Sequence, residues 1–295
     1  MSEDKTKRLT VYLPDRLKSD LNRMAEETGL SMTQLIVMAT HGLVANYKAN
    51  GGGLFASLIE PGRKEQGVLA ERMAVVHRER SDMQMYYGAR AREFESIYER
   101  DDAGYQAELA LLADRLAQAV RNCSVLELAC GTGYWTERAY PSASSVTAVD
   151  IRPEVIEIAE EKRLPAPKVR FRLGDAYKPE DIPGSFDAGV ACFWLSHIPK
   201  NKIEPFLDKL HARLGSGAVV FMADNVYVEG RGGELIAKED SEDTYKRRVL
   251  ADGSQHEILK NYYTEDELKQ LFEPISLNLT VFVGQSFWYV TYVTP

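Results

Sequence analysis

The chain of 295 residues predicts a doubly wound α/β domain, an open and mainly parallel sheet with helices on both faces, behind a small unit of different character. Three observations carry this prediction. From about residue 107, apolar strand-like runs alternate with amphipathic stretches, as parallel strands joined by crossover helices require. The run VLELACGTGYW at 125–135 ends an apolar strand in a small-residue turn, where backbone can approach a ligand without a Cβ in the way. A second apolar strand, SVTAV, closes on Asp150 about 20 residues after that turn, where nucleotide-binding α/β folds place a ribose-binding acid.

Taken in order, the pattern predicts strands near 124–129, 145–150, 168–173, 186–192 and 216–223. Helices are expected near 107–121, 133–139, 153–163 and 201–213. The stretch 224–261 is too long for a plain connection and is expected to cover a second ligand. Within it, 245–250 and 255–260 flank Asp252-Gly253, a good hairpin turn. Thr264-Glu265-Asp266-Glu267 opens a helix to about Phe272. Closing strands at 276–283 and 286–293 are joined only by Gly284-Gln285, and so short a join forces them antiparallel.

Residues 1–48 form the small unit, 49–82 a linker and helix, and 83–295 the α/β domain. Arg8 to Leu13 alternates polar and apolar, a strand with one buried face, and Pro14 stops it. Leu17, Leu21, Met24 and Ala25 recur at helical spacing up to Gly29. Ser31 with Gln34 forms a capping box that starts a second helix bearing Leu35, Ile36, Ala39, Leu43 and Val44. One strand and two short helices are too small to bury their own apolar surface, so pairing with a second copy is expected through 8–47. Gly51-Gly52-Gly53 is a flexible joint, and helices are expected at 68–79 and 83–99.

Charge is unevenly spread over a net −8. Residues 1–50 hold seven basic and six acidic side chains (+1), leaving 29 basic against 38 acidic (−9) in the remainder. An acidic body repels phosphate backbones, which argues against nucleic acid as substrate. No apolar stretch approaches the roughly 20 residues that span a bilayer, and the first residues lack the apolar run of a signal peptide. Cys123, Cys130 and Cys192 are odd in number and lack metal-ligand spacing, so reduced thiols in a cytoplasmic protein are expected, with no metal.

Glu127 to Gly133, ELACGTG, resembles the first motif of class I S-adenosylmethionine-dependent methyltransferases, and Ala148-Val149-Asp150 resembles the second. The family pattern has three glycines; here Ala129 stands at the first. A dinucleotide-binding dehydrogenase fits less well, because Thr136 stands where its last glycine should fall. The resemblance implies a Rossmann-like seven-stranded sheet ending in an antiparallel hairpin, with S-adenosylmethionine as cofactor. It implies a turn of Ala129, Gly131 and Gly133 with Trp135 behind it. Asp150 would hold the ribose hydroxyls and Asp175 the adenine amino group, with Ile151 and Ala176 against the adenine. Glu127 would orient the ammonium end. Cys192 and Phe193, with Trp194, would wall the methionine moiety, and Tyr87 would lie over the cofactor, unless the helix around it is ordinary packing. His197, just past the fourth strand, could act as a base or be structural.

Such a site displaces a methyl group directly onto an O or N atom of a small-molecule acceptor. Arg248, His256 and Tyr263, with Arg247 and Lys260, could meet an acidic or phenolic acceptor, or could belong to a solvated hairpin. DNA amino-methylation is disfavoured, because Ala191-Cys192-Phe193-Trp194 lacks an Asn/Asp-Pro-Pro-aromatic run. Cytosine C5 methylation is disfavoured by the lack of a Pro-Cys pair; protein methylation stays open. Residues 5–47 resemble the ribbon-helix-helix (Arc/MetJ/CopG-like) DNA-binding family. By position Arg8, Thr10 and Tyr12 would face base edges of operator DNA, Lys5 and Lys7 its phosphates, and the amides of Ser31, Met32 and Thr33 a phosphate. A homodimer that no longer binds DNA remains an alternative, as does a regulator whose body senses S-adenosylmethionine. Two joined but functionally unrelated parts are a third.

Overall fold

The computed structural model describes residues 15–28, 31–37, 40, 86–87, 91–239, 241–249, 253 and 255–295. The chain divides into two units, Met1–Met73 and Ala74–Pro295. In the first, α1 spans Asp15–Thr28, starting directly after Pro14. A second helical stretch, α2 at 32–37, opens on the expected capping box. Ser31 Oγ accepts from the Gln34 amide at 3.3 Å, and Gln34 Oε1 accepts from the Ser31 amide at 2.8 Å. The expected strand with Arg8, Thr10 and Tyr12, Lys5 and Lys7, the 49–53 joint and the 68–79 helix lie outside the described residues.

In the second unit the strands are β1 (Ser124–Leu128), β2 (Ser145–Asp150), β3 (Val169–Leu173), β4 (Ala188–Cys192), β5 (Val219–Asn225), β6 (Leu235–Ala237), β7 (Thr244–Val249), β8 (Gln255–Leu259), β9 (Leu277–Val283) and β10 (Phe287–Val293). The α-helices are α3 (Ala103–Ala119), α4 (Tyr134–Ala139), α5 (Pro153–Glu161), α6 (Lys200–Leu214) and α7 (Glu265–Phe272). Seven strands form one sheet in the order β3-β2-β1-β4-β5-β10-β9. The first five are parallel, and β10 runs antiparallel to both neighbours. The central strands β1, β4 and β5 are buried on both faces and read as continuous apolar runs, whereas the edge strand β3 alternates. Leu126 and Leu128 of β1 pack with Phe206, Leu207 and Trp288. Val125 points the other way, among Leu112, Leu116 and Phe221.

Three boundaries differ from the sequence expectation, each for a local reason. Helix α3 begins four residues before 107, because the Asp102 carboxylate accepts from the Tyr105 amide at 3.0 Å and caps it there. The helix expected over 83–99 is a 3-10 helix at Ala91–Tyr98 in its described second half. Its last carbonyls are taken by α3: the Tyr105 hydroxyl donates to Ile97 O and the Gln106 amide to Tyr98 O. Helix α5 stops at Glu161 because Arg163 turns left-handed, with φ 51°. The 224–261 stretch holds the expected hairpin, β7 with β8, and a third strand, β6, pairs on β7.

The closing turn is pinned from a distance. The Glu108 carboxylate on α3 accepts from the amides of Gln285 (2.8 Å), Ser286 (2.9 Å) and Phe287 (3.1 Å). Gly284 leaves room for this carboxylate, since a Cβ there would lie 2.5 Å from a Glu108 oxygen. Charge-assisted bonds of this kind are worth about 1.5–3 kcal/mol, and losing the acceptor orphans three amides. Glu108→Ala is therefore expected to lower the unfolding free energy by about 2 kcal/mol in urea titration. A change within 0.5 kcal/mol would show that water replaces the carboxylate at no cost.

Candidate active site

The sheet order reverses at β1, with β2 on one side and β4 on the other, and crossovers leave in opposite directions. Turns after these strands therefore diverge and leave a crevice at their carboxyl ends. The crevice is open to solvent and walled mostly by apolar atoms.

Its floor is the turn from β1 to α4. Ala129 and Gly131 both adopt left-handed backbone, with φ 52° and 57°. A Cβ on Gly131 would meet nothing within 4 Å, so that glycine serves the backbone bend and leaves the space above it clear. Gly133, with φ 80°, does something else: a Cβ there would press on Phe171 at 3.0 Å and Ala159 at 3.3 Å. Its smallness lets α4 dock on β3 and α5, and it does not line the cavity. Ala129 holds left-handed geometry that L-residues adopt at a cost of about 1–2 kcal/mol.

Asp150 stands at the rim, at the end of β2. Its Oδ2 accepts from the Gly131 amide and its Oδ1 from the Arg152 amide, both at 3.0 Å. Each oxygen keeps a second lone pair for a ligand hydroxyl. The carboxylate that fixes the chain just before α5 and the ligand-facing acceptor are thus one group. Burial raises its pKa, opposed by the backbone amides of Arg152, Gly131 and Ile151. Asp175 lines the same cavity and accepts from the Tyr177 amide at 3.0 Å. Between the two acids lie Ile151, 40% exposed, and buried Ala176, two apolar surfaces suited to a flat base.

The opposite wall is aromatic. Tyr98 stacks on Tyr134 with ring centres 3.7 Å apart, and Phe193 stacks on Trp135 at 5.7 Å. Trp135 Nε1 donates to the Tyr98 hydroxyl at 3.2 Å. Phe193, with φ 58°, is a second non-glycine residue in left-handed backbone, at the end of β4 beside Cys192. The 3-10 segment is tied to the floor through Glu95, which accepts from Thr132 Oγ1 at 2.7 Å and pairs with Lys162 at 3.0 Å.

His197 closes the inner end. Its Nδ1 lies 2.6 Å from Leu259 O, which can only accept, so Nδ1 carries the proton. Nε2 then accepts from the Tyr87 hydroxyl at 2.8 Å. Burial first, and the nearby Lys260 charge second, push the His197 pKa down to about 3, so the ring is neutral at ordinary pH. Beside it Lys260 and Asp224 form a buried ion pair at 2.7 Å. Lys260 also donates to Ser196 Oγ at 2.7 Å, and Asp224 accepts from the Ser196 amide at 3.1 Å. These bonds anchor the β8 end to the loop that carries His197.

The structure gathers Tyr87, Ala129, Gly131, Trp135, Asp150, Ile151, Asp175, Ala176, Cys192, Phe193 and His197 around one cavity. Glu127 is not at its surface: it is 1% exposed, beneath the turn, and accepts from Thr136 Oγ1 at 2.6 Å. Tyr263 is packed in the core against Trp288 instead of facing a ligand. Arg248 and His256 sit on the β7–β8 hairpin and do not line this cavity. Arg152 lines it without having been singled out, and Thr132 and Tyr134 line it as members of the 129–134 turn expected around the crevice. For Thr132 and Tyr134 the signal was their place inside the small-residue turn.

The family model for the methyltransferase domain matches residues 125–217, which hold the floor, Asp150, Asp175 and His197. The chain carries a class I S-adenosylmethionine-dependent methyltransferase domain. Magnesium-protoporphyrin O-methyltransferase of Rhodobacter capsulatus is 36% identical over 115 residues, 38% of this chain and 50% of that protein. Ubiquinone biosynthesis O-methyltransferase of Xanthomonas campestris pv. campestris (strain B100) is 33% identical over 86 residues, 28% of this chain and 35% of that protein. The chain thus spans half or less of these curated relatives. Among solved structures, the DhpI–SAH complex matches with a TM-score of 0.58 at 29% identity, over 74% of this chain and 98% of that chain. PH0226 protein from Pyrococcus horikoshii OT3 shares the fold, with a TM-score of 0.51 at 17% identity, over 66% and 93%.

S-adenosylmethionine is the cofactor of the methyltransferase domain, and the cavity fits it. The Asp150 oxygens suit vicinal hydroxyls, the Ile151–Ala176 pair suits a base, and the clear space over Gly131 suits close backbone approach. Asp150→Ala is expected to weaken S-adenosylhomocysteine binding by more than roughly tenfold in calorimetry, through loss of a charged acceptor. Unchanged affinity would remove Asp150 from the pocket.

Burial raises the Glu127 pKa to about 8, with only the Thr136 hydroxyl opposing it, so the folded chain holds a proton there at neutral pH. The unfolded chain releases that proton in the ordinary carboxylate range, so this contribution to stability is full at acid pH and lost as pH rises through about 8. Glu127→Gln is expected to remove that dependence. Urea unfolding of wild type and variant from pH 5 to 9 should show the variant gaining relative stability as pH rises; parallel curves would refute a protonated Glu127.

Proposed function

We propose that this protein transfers a methyl group from S-adenosylmethionine to an oxygen or nitrogen atom of a small-molecule acceptor, with His197 and Tyr87 at the transfer point. The observation that carries this reading is one crevice holding two strand-end acids at its rim and a neutral, hydrogen-bonded imidazole at its inner end. The cofactor supplies, when bound, a methyl carbon already activated by its sulfonium. The protein's task is then alignment and exclusion of water. The curated relatives' names, both O-methyltransferases, favour an oxygen acceptor.

A ring with a pKa of about 3 keeps its Nε2 lone pair available throughout the neutral range but stores a proton poorly. His197 therefore serves best as a hydrogen-bond acceptor that orients an acceptor hydroxyl or the Tyr87 hydroxyl. Net proton removal falls to solvent or to the acceptor's own acidity.

For the N-terminal unit we propose a ribbon-helix-helix module over 1–48, joined through 49–82 to the methyltransferase domain at 83–295. Two successive short helices, the second opened by a capping box, support it. It would hold two copies together or tether the enzyme to operator DNA. The same helices favour a second reading, a DNA-binding regulator whose body senses the cofactor; cofactor-dependent gel shifts without turnover would select it.

The test is a metabolite screen for acceptor-dependent S-adenosylhomocysteine production by the full chain. His197→Asn is expected to cut kcat by about 10²-fold while S-adenosylhomocysteine affinity stays within a few-fold. Cofactor binding with no turnover on any acceptor would reject the enzyme reading.

A further inference from the structure

We propose that the methyl acceptor carries an oxyanion of the carboxylate or phosphate class, bound by Arg248 and Lys246 on the inner face of the β6–β7–β8 sheet. Its role as acceptor rests on the methyltransferase reading above; its charge rests on where the cations lie.

Side chains two apart on a strand share a face, so Lys246 and Arg248 point one way and Arg247 the other. The register pairs Lys246 with Ile258 and Arg248 with His256, which places those four on the same face. Ile258 packs against Tyr86, with Tyr87 and Trp194 beside them, and the latter two line the cofactor cavity. Leu259, next on β8, holds His197 through its carbonyl. This face therefore borders the end of the cofactor cavity that His197 closes, where a second substrate must sit.

The cations on the two faces are treated differently. Arg247, on the outer face, pairs with Glu234 at 2.7 Å in solvent. Lys260 is matched by Asp224. Lys246 is 1% exposed, and its Nζ donates only to neutral carbonyls, Gly233 O at 2.9 Å and Arg231 O at 3.3 Å. Arg248 is partly buried and has no ion pair or hydrogen bond from its guanidinium among the described residues. Lys246 is driven below its usual pKa by burial, then by Arg248 and Lys260, so these charges sense one another.

Desolvating cations side by side without an acid is unfavourable, and an incoming anion reverses the sign of that cost. The Arg248 fork offers paired donors that match a carboxylate or phosphate edge. Tyr227 and Tyr262 rings, 5.0 and 5.7 Å from Lys246 Nζ, flank the spot and give an organic acceptor an apolar surface. The domain's net negative charge repels anions elsewhere, so a local pair of cations confers selectivity.

The experiment titrates the full chain, at constant ionic strength, with inorganic phosphate, benzoate and neutral benzamide, with and without S-adenosylhomocysteine, following calorimetry and thermal shift. Saturable binding of at least one oxyanion and none of benzamide is expected. Arg248→Gln should weaken it at least tenfold with S-adenosylhomocysteine affinity within twofold, Lys246→Met should weaken it independently, and Arg247→Gln should change nothing. Absence of saturable oxyanion binding, equal binding of benzamide, or wild-type binding by both Arg248→Gln and Lys246→Met would overturn the anion site. Oxyanion binding in a chain that fails to bind S-adenosylhomocysteine would instead overturn the methyltransferase reading and leave the anion site standing.

Discussion

The bond from the Gly131 amide to the Asp150 carboxylate, 3.0 Å long, joins the turn after β1 to the end of β2, beside the β1–β4 point where the strand order reverses. Each part of the crevice depends on that link. It holds the left-handed turn open beneath the cavity and aims the free lone pairs of Asp150 into it. The other Asp150 oxygen accepts from the Arg152 amide just before α5, so one carboxylate links floor, rim and the approach to the helix. A carboxylate with two backbone amides is rigid before any ligand arrives, which reduces the ordering cost of binding.

Around this rigid centre the walls come from segments distant in the chain. The 3-10 segment reaches the floor through Glu95 and Thr132, and Tyr98 stacks on Tyr134. The β6–β8 sheet is secured by the buried Lys260–Asp224 pair and by the Leu259 carbonyl on His197. His197 is thereby the junction of the post-β4 loop, the leading segment through Tyr87, and the sheet that follows β5. Removing one partner of a buried pair such as Lys260–Asp224 typically costs 3–5 kcal/mol, so this junction is also a structural clamp. Catalytic geometry and lid attachment share the same few atoms.

Much of this was legible in the residues. The strand–turn–strand–acid pattern located the crevice, because the turn is local chemistry and the acid must end the next parallel strand. Asp175 followed from the same rule about strand ends, and Ile151 and Ala176 from the family resemblance. Glu127 and Gly133 sit in the same run but serve the interior: one bonds Thr136 beneath the turn, and the other makes room for Phe171. Spacing alone assigns such residues to the ligand, since a side chain just below a floor and one just above it look alike in one dimension. Tyr263 misled for a related reason, because an aromatic after a polar hairpin reads as exposed until Trp288 is seen against it.

The amino-acid sequence by itself determined the parallel sheet's strand segments, the antiparallel finish, the floor of the cavity and its two acids. Those features follow from periodicity, turn stereochemistry and strand-end topology, all encoded within about twenty residues of chain. Only the tertiary structure decided the protonation of His197, the pairing of Lys260 with Asp224 and the isolation of Lys246 and Arg248. Those are set by burial and by partners from β5, β8 and the leading segment, which no local pattern brings together. Parity along β7 separates Arg248 from Arg247, and that parity acquires meaning only once one face is known to meet the cavity.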